Sequence, residues 1–177
     1  MSRTIILGIT PGGDLCDVEE FYNSYGSAMY VWRSLVERYI DPDASRWMIR
    51  NDTDMQPLWN LIIDKRIPEP HRWVLASTFD GAVVHREDFG LLAMYYNQFV
   101  DDYPPKGVCT LREQAHTLIQ MGDVDYRGAC WIQTSVADDW WYVYDDQDEH
   151  RWLNVDTDPR TECGRDRWWL LFGRDAL

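Results

Sequence analysis

Residues 129–136 read ACWIQTSV, a β-branched and aromatic run that follows a helix-like segment closed by Gly122. Such a run fits a pleated, half-buried surface and predicts a strand. Three runs of the same character follow it: Trp140–Tyr144 (WWYVY), Arg151–Val155 (RWLNV) and Arg167–Phe172 (RWWLLF), separated by acidic or Gly-containing turns. Strands that succeed one another without an intervening helix pair as an antiparallel sheet, and that sheet sets the fold class.

Working back toward residue 1, Arg3–Ile9 (RTIILGI) is another strand, closed by the turn Thr10-Pro11-Gly12-Gly13. Asn23–Ile40 places Ala28, Val31, Trp32, Leu35, Val36 and Tyr39 on one helical stripe, with Asn23 or Ser24 as cap and Asp41-Pro42 as stop. A shorter helix is expected over Asp54–Lys65, where Pro57 falls in the first turn. Arg72–Thr78 (RWVLAST) and Ala82–His85 read as a hairpin about the tight Asp80-Gly81 turn. Helices follow over Glu87–Asp101 and from Thr110 to Met121, the second opened by the capping box Thr110-Leu111-Arg112-Glu113. The expectation is one α+β domain over residues 1–177, an antiparallel sheet of about five to seven strands with three to four helices packed on one face. A chain of this length buries enough surface to fold without a metal or a disulfide.

Charge narrows the function classes. The net charge is −13, and −7 of it falls in residues 122–177, which also hold six of the ten tryptophans. Clustered Lys and Arg are what phosphate binding requires, so direct contact with nucleic acid or an anionic membrane is disfavoured. A partner with a basic surface is favoured, because opposite charge steers association. The plain alternative is that the acidic surface serves solubility. Cys16, Cys109, Cys130 and Cys163 are far apart and read as reduced cytosolic thiols. The opening MSRTIILGIT suits a strand rather than an export signal, and no run is long enough to span a bilayer, so a cytoplasmic location is expected.

Catalytic signatures are weak. The turn after the first strand stands where a phosphate loop would, but Gly13 is followed by Asp14 instead of Lys-Ser/Thr. Asp-x-Asp occurs at Asp41/Asp43, Asp52/Asp54, Asp123/Asp125 and Asp156/Asp158, each in an expected loop or cap. His71, His85, His116 and His150 lack zinc-ligand spacing. No catalytic residue, metal or cofactor is assigned.

The stretch 138–149 carries the strongest functional pattern. Neighbouring strand residues point to opposite faces, so one of Trp140 and Trp141 faces outward unless another element covers it. Asp138, Asp139, Trp140, Trp141, Tyr144, Asp145, Asp146, Asp148 and Glu149 together make a candidate partner-binding surface, aromatics as anchors and carboxylates as the steering charge.

Three segments, NSYGSAMYVWRSLVERY (23–39), VLASTFDGAVVHREDF (74–89) and WIQTSVADDWW (131–141), resemble in this order segments of small uncharacterised accessory proteins of bacteriophages and prophages. The resemblance rests on aromatic and turn positions and carries no functional residues. It implies no activity, only kinship with phage accessory proteins, a class that includes inhibitors of host defences. From the charge and the tryptophan clustering, the expected function is a non-enzymatic inhibitor that covers a basic, nucleic-acid-binding surface of a host protein, of the anti-defence (anti-CRISPR) kind and in a host cytoplasm if phage-encoded. The alternatives are a small-molecule binder or hydrolase with an aromatic, nucleotide-like pocket, and a homodimer joined through exposed aromatics.

Overall fold

The computed structural model describes residues 3–22, 25–43, 56–134 and 170–174. Strand β1 (Arg3–Ile9) runs over the bounds its β-branched sequence predicts. The turn at Thr10–Gly13 returns the chain as β2 (Leu15–Tyr22), with Gly13 at φ 88°, a left-handed conformation that glycine adopts without strain. The helices α1 (Tyr25–Tyr39), α2 (Gln56–Ile63) and α3 (Glu69–Ala76) come next. They are followed by β3 (Ala82–His85), a 3₁₀ turn over Arg86–Asp88, α4 (Phe89–Asp102), α5 (Leu111–Gly122), β4 (Gly128–Thr134) and β5 (Leu170–Phe172).

The five strands lie in the order β2-β1-β4-β3-β5. All neighbours pair antiparallel except β3 and β5, which run parallel, Ala82 opposite Leu170 and Val84 opposite Phe172. The α+β class holds, but the sheet is mixed rather than antiparallel. A parallel neighbour requires a long crossover. The chain supplies one, because α4, α5 and β4 all intervene between β3 and β5.

Alternation along the strands sends Ile6, Ala82, Val84, Ala129, Trp131 and Phe172 to the face that the helices cover. Ile9, Val83, Cys130 and Leu171 form a separate cluster on the opposite face. The main core is aromatic: Trp32, Trp59, Trp73 and Trp131 have no exposed surface. Phe79, in the turn after α3, sits 4.3 Å from the Trp59 ring and 5.7 Å from that of Trp32. The α1 stripe read from sequence is the buried one, with Val31, Trp32, Leu35 and Val36 fully inside.

Two elements differ from the sequence reading. RWVLAST is not a strand: its first five residues close α3, which begins beyond Pro68 with Pro70 in the first turn. Proline there presets helical φ and lacks a donor the helix cannot use. Arg72–Ala76 are all buried, so the segment shows no one-sided periodicity from which a helix is read. The second difference is β2, unforeseen because Asp17, Glu19 and Glu20 have low strand propensity.

Candidate functional site

Asp138, Asp139, Trp140, Trp141, Tyr144, Asp145, Asp146, Asp148 and Glu149 lie outside the described residues. The four described tryptophans are core side chains, not binding platforms. The described chain does, however, carry an acidic and aromatic strand elsewhere.

That strand is β2, which among the described residues lies at one edge of the sheet and pairs with β1 alone. The register shifts between Ile6 and Leu7, opposite Glu19 and Asp17, which makes Val18 an extra residue on β2. A bulge of this kind twists an edge and discourages indiscriminate pairing. Pairing places Asp17 beside Leu7, Glu20 beside Ile5 and Tyr22 beside Arg3 on the face away from the helices. Arg3 donates to Glu20 at 2.9 Å and lies 5.6 Å from the centre of the Tyr22 ring. Tyr22 is 57% exposed. Among the described residues, the Asp14, Asp17 and Glu19 carboxylates have no cationic partner, whereas Asp64, Asp88, Asp101 and Asp125 each hold an arginine.

A concavity lies between α1 and the connection from α4 to α5. It has a volume of about 780 Å³ and is bounded by Met29, Tyr30, Arg33 and Glu37 on one wall and by Asp102–Val108 on the other. The sequence Tyr103-Pro104-Pro105 stops α4, and the same prolines give this wall its shape. Tyr30 fixes the floor: its hydroxyl donates to the carbonyls of Tyr103 and Phe99, and its ring meets Phe99 edge-on at 5.6 Å. Burial pushes the Tyr30 phenol far above its ordinary value, with the nearby Cys109 thiol adding to the shift. Burial also raises Tyr103 and Cys109, so all three stay neutral at physiological pH.

No family model, curated protein or solved structure matches this chain.

The turn Thr10–Gly13 leads into a strand, not a helix; Thr10 Oγ1 accepts from the Asp14 amide at 3.0 Å, closing the hairpin. It offers no helix N-terminus to a phosphate. Asp41 accepts from the Asp43 amide at 2.9 Å and Asp125 pairs with Arg86 at 3.1 Å, both local loop roles. Asp52, Asp54, Asp156 and Asp158 lie outside the described residues. No three metal-ligating side chains gather among the described residues, and no described helix is long and apolar enough to cross a membrane.

A buried polar seam between the sheet and the helices also has local roles. Thr4 donates to Gln133 at 2.5 Å, and the Gln133 amide donates to Asp80 at 2.8 Å. Trp131 Nε1 donates to Gln114 at 3.1 Å, and Trp32 Nε1 to Thr78 at 2.8 Å. The Ser77 and Thr78 hydroxyls donate to carbonyls of α3, so neither is poised as a nucleophile. The predicted capping box is likewise diverted. Thr110 makes no cap bond through its side chain; its hydroxyl meets Ser27 at 3.1 Å and accepts from Gln114 at 2.9 Å.

Sequence reading missed both β2 and the cleft. A Pro-Gly turn after a β-branched run is a hairpin signal, and it could have found β2. Nothing local to the sequence brings Arg33 and Lys106 to one cavity.

Proposed function

We propose that the protein is a non-enzymatic binding protein that covers a basic, nucleic-acid-binding surface of a partner protein with carboxylates and exposed aromatic rings. The observation that supports it is the β2 edge of the sheet, along which the exposed carboxylates of Asp17 and Glu19, and of Asp14 just before it, have no cationic partner among the described residues, while Tyr22 stands exposed at its far end. An edge strand also offers unpaired backbone groups, so an extended basic segment can add to β2 while its side chains meet these carboxylates. Asp138–Glu149 is the second acidic and aromatic element of this reading.

The test is capture of partners from nuclease-treated bacterial lysate on immobilised protein, followed by a salt ladder. A partner released by salt, whose own nucleic-acid binding the protein blocks, supports the proposal. The triple reversal Asp14→Lys, Asp17→Lys, Glu19→Lys is expected to abolish that capture. Capture unchanged by this reversal and by the matching reversal of Asp145, Asp146, Asp148 and Glu149 would overturn it.

A further inference from the structure

The cleft between α1 and residues 102–108 has a charge arrangement that β2 lacks. Arg33 and Glu37 stand one helical turn apart on α1, and Asp102 and Lys106 face them from the opposite wall. All four are exposed, and none has an ion-pair or hydrogen-bond partner among the described residues. Each wall thus presents one unpaired cation and one unpaired carboxylate. Between them lies an apolar floor that includes Met29, Tyr30 and Tyr103.

This arrangement selects by charge. A simple anion such as a nucleotide would gain Arg33 and Lys106 but face Glu37 and Asp102. A simple cation would meet the reverse penalty. A net-neutral ligand with separated charges and an apolar body satisfies both signs at once. The volume of about 780 Å³ falls in the range of pockets that enclose drug-sized ligands, which suits a short peptide. The Tyr30 hydroxyl is already committed to main-chain carbonyls, so this ring offers the ligand area rather than a donor.

We infer that this cleft is a binding site for short zwitterionic peptides: the terminal carboxylate pairs with Arg33 and Lys106, the terminal ammonium with Glu37 and Asp102, and an apolar or aromatic side chain rests on Tyr30 and Tyr103. The site is separate from β2 and needs no protein partner.

Amide chemical-shift mapping with the tripeptide Ala-Tyr-Leu tests it. Saturable shifts confined to residues 29–37 and 102–108, with a dissociation constant below about 1 mM, are expected. Acetylating the amino terminus or amidating the carboxyl terminus should each weaken binding by about fivefold, the scale of an exposed ion pair. Arg33→Ala should weaken the free peptide by a similar factor and leave the amidated one unchanged. These side chains are exposed, so the substitution leaves the core intact. No saturable shift, equal binding of the blocked peptides, or tighter binding of a nucleoside triphosphate at the same residues would overturn the inference. Shifts confined to residues 15–22 would also overturn it while leaving the β2 proposal standing.

Discussion

The Tyr39 hydroxyl lies 2.6 Å from His71 Nδ1, tying the last turn of α1 to the first turn of α3. The imidazole sits edge-on to Phe99 and Tyr103 at 5.7 and 5.6 Å. Burial lowers its pKa below 6.5, against the opposing pull of Asp102 and with the help of Arg38. The imidazole therefore makes this hydrogen bond in its neutral form at neutral pH.

A pH dependence follows, and its sign is fixed. Below the ordinary histidine value, the unfolded chain takes up a proton that folded His71 resists, so stability drops as pH falls through that value toward the lower folded one. The urea midpoint is expected to fall between about pH 7.5 and about pH 5.5. In His71→Gln the fall should be smaller, because glutamine can still hydrogen-bond the Tyr39 hydroxyl in either direction but does not titrate. An equal slope in the variant would remove His71 as the cause.

Arg174 closes the end of β5 onto the 3₁₀ turn before α4. Its Nε donates to the buried Asp88 carboxylate at 2.5 Å, its amide donates to the same carboxylate at 3.1 Å, and its guanidinium also reaches the Glu87 carbonyl at 2.8 Å. Arg174→Ala leaves a buried carboxylate short of a donor and is expected to cost about 1–3 kcal/mol in urea unfolding. Removing both partners, as Asp88→Ala with Arg174→Ala, should cost less than the sum of the single changes.

Gly128 begins β4 between β1 and β3. A Cβ there would lie 2.6 Å from the Val84 carbonyl oxygen, a backbone atom that moves only if the sheet moves. Gly128→Ala is expected to lower stability by about 1–3 kcal/mol, the usual cost of overpacking. Gly90→Ala, on α4 with open space around it, should be neutral or mildly stabilising. Equilibrium unfolding of the pair compares the two backbones directly.

Phe79 supports two indoles from a turn rather than from a helix or strand. Phe79→Ala is expected to cost about 3–5 kcal/mol. It should also alter tryptophan emission, because Trp32 and Trp59 both lose a ring neighbour. Wild-type emission with undiminished stability would contradict this packing.

The legible parts of the fold were those where one face is buried and the other wet. β1 and the Val31–Trp32–Leu35–Val36 stripe of α1 announce themselves because their alternation matches a strand or helix period. α3 did not, because burial on all sides erases the period, and β2 did not, because an acidic edge strand lacks strand-like composition. One cap misled for a related reason. Thr110 stands at the N-terminus of α5, yet its hydroxyl meets the Ser27 and Gln114 side chains instead of capping the helix amides. A local motif states what a side chain can bind; distant residues decide what it does bind. The acidic and aromatic composition pointed toward a binding surface, while the α1 cleft was invisible because its two walls are about 70 residues apart in the chain.

The parallel pairing of β3 with β5 bears on the order in which the protein is built. β3 forms its antiparallel bonds with β4 once residue 131 has been made, but its other edge waits for Leu170. During synthesis, Ala82–Val84 therefore spends the intervening elongation time as a bare hydrophobic edge, and Val83 and Val84 are both interior in the finished molecule. An exposed edge of this kind makes a folding intermediate prone to aggregate, and closing so long a loop puts the final step of sheet assembly late in folding.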